Sequence, residues 1–359
     1  MEIKIFTLHQ LKKELENPKF WKTKYFPISK QRLIAHLNNP RAEENDVLLV
    51  VGYDNEEVVG YIGNIPDSIF IDNIKHKFCW LTAWWLHPSM QGKGFGYSIL
   101  KAAIENIPAP KGAVGMSPFS KKVLLQSGEF QFMERCSGTD YILRYTIEKP
   151  QTIKQRFKNG ILKIMNNLNK LKQKKWLQKN INHSLSFEYI TQLDAETVNF
   201  VNQYDKDNTF RRREEELNWI IQHKWLIDSP LKDKNHDKYF FSSYAKNFSY
   251  ITFKIFLKEE FIGFCILRNR DNYITIPYLA YIDKYIDNVL ISIGLHLQKM
   301  EIASITIFNK EVVAAFNRLE YPSIKTRTTI KEAIMSKKIG EIDFSEFYLQ
   351  DGFGDYAST

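Results

Sequence analysis

Cysteine is scarce in this chain, and long apolar runs are missing from it. The 359 residues include three cysteines, Cys79, Cys136 and Cys265, which lie far apart and form no C-x-x-C pair. This argues against a disulfide or zinc framework and fits a reducing compartment. No apolar run approaches the roughly 18 residues of a membrane span, and charges interrupt the N-terminal stretch MEIKIFTLHQLKKELE, unlike a signal peptide. We expect a cytoplasmic protein, and the histidine spacing predicts no metal site.

Negative charge is missing from one segment. Between Lys149 and Lys179 there are ten Lys and Arg residues and no Asp or Glu, so most of the net charge of +9 belongs there. Apolar residues recur in this segment at helical spacing: Ile153, Phe157, Ile161, Met165 and Leu168. The pattern predicts a basic amphipathic helix over 147–183 that connects two halves of the chain. We expect its apolar stripe to be buried against both halves. Contact with an anionic membrane surface is the alternative, and nucleic acid binding is disfavoured.

The predicted order of strands and helices repeats on either side of this segment. In the first half, DVLLVVGYDNEEVVGYIGN predicts a hairpin and FCWLTAWWL a third strand, followed by a helix, a strand and a short helix. In the second half, SYITFKIFLKEEFIGFCILRN and YITIPYLAYI begin the same order. The sequence therefore predicts an internal duplication, with domains at 1–146 and 184–359.

Three glycines, Gly92, Gly94 and Gly96, stand at the start of a predicted helix in LHPSMQGKGFGYSILKAAIEN. Glycine costs roughly 0.5 to 1 kcal/mol relative to alanine inside an element, so the cluster indicates that backbone has to meet a ligand there. The spacing fits neither a Walker loop nor the dinucleotide-binding G-x-G-x-x-G. It reads Q-x-x-G-x-G between a strand and a helix, and it resembles the pyrophosphate-binding motif of the GNAT acyltransferases.

The resemblance covers residues 1–146 and implies an α/β fold with a mixed central sheet, and acetyl-CoA or another short acyl-CoA as co-substrate. It implies that the backbone of Trp84 and Leu86 lies along the pantetheine arm, with the Leu86 N–H as oxyanion donor. It places at the diphosphate Gln91, Gly92, Lys93, Gly94, Phe95, Gly96 and Tyr97. The second half resembles such a domain only in the order of its elements, because the matching helix entrance, YIDKYIDN, has two aspartates and no glycine.

The motif leaves the acid and the base of the implied reaction open. Attack of an amine on a thioester requires an oxyanion donor, a base, and a proton for the leaving thiolate. Asp140 in CSGTDYILRY is the candidate base, with an ordinary turn aspartate as the alternative. Many family members carry, in the helix after the fifth strand, a tyrosine whose hydroxyl protonates the leaving thiolate. Here Leu124 or Leu125 occupies that position. Water or a serine, with Ser120 as the candidate, is then expected to protonate the thiolate.

The C-terminal stretch EFYLQDGFGDYAST combines carboxylates, tyrosines and turn glycines. It is either a structural closing element or part of a pocket that recognises an amine or sugar hydroxyls. We predict an acyl-CoA-dependent N-acyltransferase acting on the amine of a small molecule such as an amino sugar. The alternatives are an aminoacyl transferase of the peptidoglycan-bridge type, which uses aminoacyl-tRNA, and a noncatalytic acyl-CoA-binding protein.

Overall fold

The computed structural model describes residues 2–206, 209–232, 234–340 and 350–358, without the side chains of residues 133–136. The chain forms two compact units. The first unit comprises Met1–Arg135, Asp207–Phe248 and Glu332–Thr359, and the second unit comprises Cys136–Lys206 and Ser249–Lys331. These bounds differ from the consecutive segments 1–146, 147–183 and 184–359, and that domain division stays a prediction.

Strands and helices alternate along much of the described chain. The strands are β1 (Glu2–Thr7), β2 (Val47–Asp54), β3 (Glu57–Ile71), β4 (Ile74–Leu86), β5 (Lys111–Val114), β6 (Phe130–Ile142), β7 (Leu185–Tyr189), β8 (Ile227–Asp228), β9 (Tyr244–Ala245), β10 (Phe248–Leu257), β11 (Glu260–Arg270), β12 (Tyr273–Tyr281), β13 (Ser304–Ile307) and β14 (Lys325–Ser336). The helices are α1 (Leu8–Glu14), α2 (Lys30–Leu37), α3 (Phe95–Asn106), α4 (Pro118–Gln126), α5 (Ile153–Asn180), α6 (Ala195–Tyr204), α7 (Glu214–Gln222), α8 (Ile286–Lys299) and α9 (Lys310–Arg318).

The first unit is built on a mixed sheet with helices on both faces. Its strands run in the order β1, β2, β3, β4, β5, with antiparallel pairing up to β4 and parallel pairing between β4 and β5. Alternate side chains face opposite layers. Val50 and Leu81 pack with Ile99 of α3, whereas Val51 and Tyr61 pack in the cluster on the other face. The predicted α/β class with a mixed sheet is confirmed.

In the second unit the sheet strands run in the order β6, β13, β12, β11, β10, β7. Here β12 and β13 are parallel, and the other described pairs are antiparallel. Its core lies between this sheet and the helices α8 and α9, which contribute Leu290, Ile293 and Phe316.

Each unit includes a strand segment from a distant part of the chain. The C-terminal residues 333–335 of β14 pair with β5 in the first unit. Residues 139–142 of β6 pair with β13 in the second unit. Strand periodicity predicts which face a residue occupies but not which strand lies alongside, so consecutive domain bounds are not expected to reveal these partners.

Helix α5 forms where the charge and apolar pattern predicts it, but three of its four buried residues are amides, and the fourth is Leu177. Asn166 exchanges hydrogen bonds with the backbone of Tyr145, donating to O at 2.9 Å and accepting from N at 2.8 Å. Asn169 donates to Leu143 O at 2.9 Å, and Gln173 donates to Pro322 O at 3.1 Å. These amides satisfy backbone carbonyls that would otherwise be buried without a partner.

The expected burial of the apolar stripe is wrong for most of its residues. Ile153, Phe157, Ile161 and Leu168 are exposed, and Met165 is half-buried. A stripe of apolar residues defines one face of a helix, but the helix can still pack through another face. Here that face carries amides that hydrogen-bond to backbone groups of the unit.

Candidate functional site

The entrance of α3 has the backbone shape that its glycines predict. Gly92 and Gly94 have φ of +75° and +81°, a left-handed conformation that favours glycine. A Cβ atom built on either residue would meet no atom within 4 Å. Backbone conformation, not crowding, therefore requires glycine at these two positions, and the space beside them is open. At Gly96 an added Cβ would lie 3.5 Å from Leu86 Cδ2.

The first turn of α3 is electrostatically suited to an anion. No side chain caps the helix in the described structure, and no acidic residue lies in its first turn. The backbone N–H groups of Phe95, Gly96 and Tyr97 belong to the first turn, where helices lack internal acceptors. Together with the helix dipole they present a positive end to an exposed loop. The assignment of residues 91–97 to a diphosphate stays a prediction that this geometry fits.

Strand β4 contains a bulge close to this entrance. Gly63 pairs with Thr82 and Tyr61 with Trp85, so Ala83 and Trp84 oppose one residue of β3. Ala83 has a φ of +49°, a conformation uncommon outside glycine.

Beyond this point β4 and β5 separate. Their parallel pairing ends at Leu81 with Ala113. His87 N donates to Val59 O at 2.8 Å, and successive N–H groups of a strand point to opposite edges. The Leu86 N–H therefore points to the edge of β4 that faces away from β3. The separation of the two strands forms a wedge, which we call the β4/β5 wedge.

The C-terminal segment lies at this wedge. The Thr82 hydroxyl donates to Asp355 Oδ2 at 2.7 Å. Just after β5, a Cβ added to Gly115 would lie 2.9 Å from the Tyr356 hydroxyl oxygen. A carboxylate is thus bonded to β4 and a phenol lies against the residue that follows β5. Sequence reasoning noted this polar, aromatic tail but assigned it no catalytic role, because nothing local connects it with β4.

A buried cation supports the carboxylate through Thr82. Arg32 Nη2 donates to Thr82 Oγ1 at 2.7 Å, and Arg32 Nε donates to His36 Nε2 at 3.3 Å. Burial, together with the charge of Arg32, holds the pKa of His36 well below its usual range, so the imidazole is neutral and accepts this bond. The guanidinium also stacks on Trp225, 4.1 Å from the ring centroid.

A cavity of about 430 Å³ lies in the same unit. It includes Tyr239, whose hydroxyl is 3.4 Å from Arg32 Nη1. Its lining mixes aromatic rings with hydroxyl and amide groups: Trp21, Phe26, Ser29, Lys30, Gln31, Ile227, Asn235, Tyr239 and Ser243. Such a lining suits a small, hydroxylated molecule with an apolar face.

The candidate base and the candidate acid from sequence have other partners. Asp140 belongs to the second unit, where its carboxylate accepts from Arg327 Nε at 2.6 Å and from Thr306 Oγ1 at 3.1 Å. The Ser120 hydroxyl lies 2.9 Å from that of Ser117 at the start of α4. These contacts link β6 to other strands and stabilise the start of α4, and neither catalytic role gains support from them. Both stay predictions.

Comparison with known proteins identifies the class of the first unit's domain. Residues 9–113 match the acetyltransferase (GNAT) family, and no curated protein sequence matches the chain at a significant level. A probable N-acyltransferase of Enterococcus faecalis has a TM-score of 0.52 at 12% identity, with 93% of this chain and 72% of that one covered. A GCN5-related N-acetyltransferase of Anabaena variabilis has a TM-score of 0.51 at 12% identity, with 93% and 72% covered.

The N-myristoyltransferase of Saccharomyces cerevisiae, solved with bound myristoyl-CoA, has a TM-score of 0.50 at 9% identity, with 93% of this chain and 82% of that one covered. At these identities the likeness shows the fold. The family match thus places a GNAT acetyltransferase domain at residues 9–113, and this match supports an acyltransferase.

Two features are absent from the described residues. None of their helices combines the length and the apolar character needed to cross a bilayer. No group of three His, Cys, Asp or Glu side chains in the described ranges is placed to hold a metal ion. The expectation that the protein needs no metal stays a prediction.

Proposed function

We propose that the protein is an acyl-CoA-dependent N-acyltransferase that transfers acetyl, or another short acyl group, to the amine of a small molecule such as an amino sugar. The observation that carries the proposal is the open, uncapped entrance of α3 beside the β4/β5 wedge. A cytoplasmic location, where acyl-CoA thioesters are available, accompanies it.

The residues around the wedge fit coenzyme A, which would supply the acyl thioester. The N–H groups of residues 92–97 would hold the diphosphate, and Gly92 and Gly94 leave room for it. The free edge of β4 at Trp84 and Leu86 would pair with the pantetheine arm. The Leu86 N–H would stabilise the oxyanion formed when the amine attacks.

Asp355 and Tyr356 carry the proton transfers in this proposal. The Asp355 carboxylate accepts a hydrogen bond from Thr82, which in turn accepts one from Arg32, and it takes a proton from the acceptor ammonium. The Tyr356 hydroxyl, beside Gly115, donates a proton to the departing sulfur. Both belong to the unit that contains the wedge, whereas Asp140 does not. Ser120, at the start of α4, remains the alternative acid.

The second unit is a GNAT-like partner without a coenzyme site in this proposal. The repeated element order and the parallel pair β12 and β13 support a tandem arrangement. The aminoacyl transferase alternative also pairs two such domains but does not depend on a coenzyme A loop. The glycine conformations at α3 therefore favour acyl-CoA over aminoacyl-tRNA.

Native mass spectrometry of the purified full chain, followed by an assay of thiol release, tests the proposal. We expect retained or added acetyl-CoA to bind, and at least one compound in a panel of amino sugars, amino acids and polyamines to release free coenzyme A. A protein that binds acetyl-CoA tightly but releases no thiol with any amine would be the noncatalytic alternative.

A further inference from the structure

Helix α5 presents a continuous apolar stripe to solvent. Ile153 and Phe157 are 85% and 74% exposed, values far above those of ordinary core residues. The exposed stripe consists of Ile153, Phe157, Ile161, Ile164, Leu168 and Leu171. Their spacing of three and four residues places them on one face, and from first to last they span about 27 Å at 1.5 Å per residue.

The helix cannot hide this stripe by rotating about its axis. Its opposite face is held by the amide hydrogen bonds of Asn166, Asn169 and Gln173 to backbone. Trp176 Nε1 adds a donor bond to Leu319 O at 2.6 Å. Rotation would leave these buried polar groups without partners, which is costly.

Basic residues flank the stripe on both sides. At 100° per residue, Lys154, Lys158 and Lys172 lie along one border, and Arg156, Lys163 and Lys174 lie along the other. No Asp or Glu occurs between Lys149 and Lys179. Among the described residues, Glu301 is the carboxylate that pairs with this helix, at Lys170.

Charge decides which occupant suits this face. A second copy of α5 would match the heptad-like spacing but would bring lysines against lysines at the flanking positions. A nucleic acid would attract the lysines and leave six apolar side chains in water. An anionic lipid surface satisfies both features, because the apolar residues enter the acyl boundary while the lysines contact headgroups.

We propose that α5 is an interfacial helix that holds the protein on an anionic membrane surface. The inference rests on α5 alone and is independent of the acyltransferase proposal. Binding requires both the apolar stripe and the flanking basic residues, because the stripe inserts into the membrane and the lysines select for anionic lipid.

Co-sedimentation of the full chain with vesicles tests the proposal. One set is phosphatidylcholine, and in the other about a third of the lipid is phosphatidylglycerol. We expect binding to the anionic vesicles only, weakening with salt. Ile161→Ser with Ile164→Ser should weaken it about tenfold or more, because two inserted side chains become polar. The control Ile74→Ser, also at an exposed isoleucine, should bind like the parent.

A second pair of variants tests the charge separately. Lys158→Gln with Lys172→Gln should lower affinity for anionic vesicles severalfold, whereas Lys13→Gln with Lys22→Gln, outside α5, should change it less. If circular dichroism shows that the double serine variant is unfolded, the comparison of these two lysine variants tests the proposal instead. Absence of sedimentation with either vesicle overturns the proposal. So does self-association or nucleic acid binding that depends on the stripe while vesicle binding is absent.

Discussion

The entrances of α3 and α8 show how one element order supports different chemistry. At α3 the N-cap is Gly94, no acid lies in the first turn, and the preceding loop is exposed. At α8 the N-cap is Tyr285, and Asp287 lies in the first turn. A helix N-terminus favours negative charge. At the α3 entrance only an external anion can meet this preference, whereas at α8 the carboxylate of Asp287 already lies in the first turn.

The aspartates at α8 are also held in place. Asp287 pairs with Arg318, and Asp283 lies 2.6 Å from Lys206 Nζ. Each carboxylate thus has a cation of its own unit, and the region offers no open nest of backbone N–H groups comparable to Gly92 and Gly94 among the described residues. A strand followed by a helix therefore does not by itself make an anion site.

The bulged strands extend this comparison. In β4 the bulge falls at Ala83 and Trp84, and in β12 residues 276–277 oppose a single residue of β11. The second bulge residue of β12 is Pro277, which has no backbone N–H, whereas its counterpart in β4 is Trp84. Asp355 and Tyr356 lie at the β4/β5 wedge. Both units contain the bulge, but in our proposal only the first carries catalytic groups there.

The largest expected effect comes from closing the α3 entrance. Gly94→Glu should abolish acetyl-CoA binding in calorimetry, because it introduces a carboxylate where the diphosphate would lie. Gly128→Glu is the matched control, since Gly128 has a φ of +80° and equally open surroundings. Both changes should cost about 1 to 2 kcal/mol of stability. Unchanged affinity in folded Gly94→Glu would end the assignment of coenzyme A to this loop.

Removal of the tail's proton-transfer groups should have the next largest effect. Asp355→Asn keeps an acceptor for Thr82, and Tyr356→Phe keeps the ring, so both should fold. We expect kcat for thiol release to fall about 10²- to 10⁴-fold while acetyl-CoA affinity stays nearly constant. Asp140→Asn should destabilise the chain by weakening its pair with Arg327 and leave kcat nearly unchanged. A large loss of kcat in Asp140→Asn, with kcat unchanged in Asp355→Asn, would instead identify Asp140 as the base.

The buried histidines of the two units should differ in acid sensitivity. Burial and then Arg32 lower the pKa of His36 well below its usual range. Burial also lowers the pKa of His296, but its bond to the Ser292 carbonyl opposes the shift. A lowered folded pKa means that stability is complete above about pH 6.5 and falls below it, by about 1.4 kcal/mol per pH unit for one proton.

Hydrogen exchange followed by mass spectrometry resolves the two units. Below about pH 6.5, after correction for intrinsic exchange, protection should fall more steeply in peptides from α2 than in peptides from α8. His36→Gln, which keeps an acceptor for Arg32, should reduce the slope at α2 and leave α8 unaffected. Equal slopes in the parent protein would contradict the difference in neighbouring charge and hydrogen bonding between the two histidines.

Removing the aspartates at the α8 entrance should leave the number of bound coenzyme A molecules unchanged. Asp283→Asn with Asp287→Asn removes the negative charge at α8 without supplying left-handed glycines. Native mass spectrometry should therefore count one coenzyme A per chain for both the parent and this variant. A second bound coenzyme in the variant would show that charge alone closes the α8 entrance. A second one in the parent would show that our interpretation of α8 is wrong.

The sequence by itself determined the features that depend on neighbouring residues. The α3 entrance follows from glycines whose left-handed φ other residues rarely adopt, and α3 itself follows from apolar residues at helical spacing. Helix α5 was predictable for the same reason. Its orientation was not, because Asn166 and Asn169 dock by matching particular carbonyls that only the folded chain brings within reach.

Tertiary structure alone decided which distant segments complete each unit. Residues 333–335 of β14 lie beside β5, and residues 139–142 of β6 lie beside β13. The Asp355 carboxylate reaches Thr82 across most of the chain's length. Local propensity and periodicity carry no signal for such partners, because a strand edge offers the same backbone donors and acceptors to any neighbour. Selection among them comes from packing and side-chain hydrogen bonds that exist only once the chain has folded.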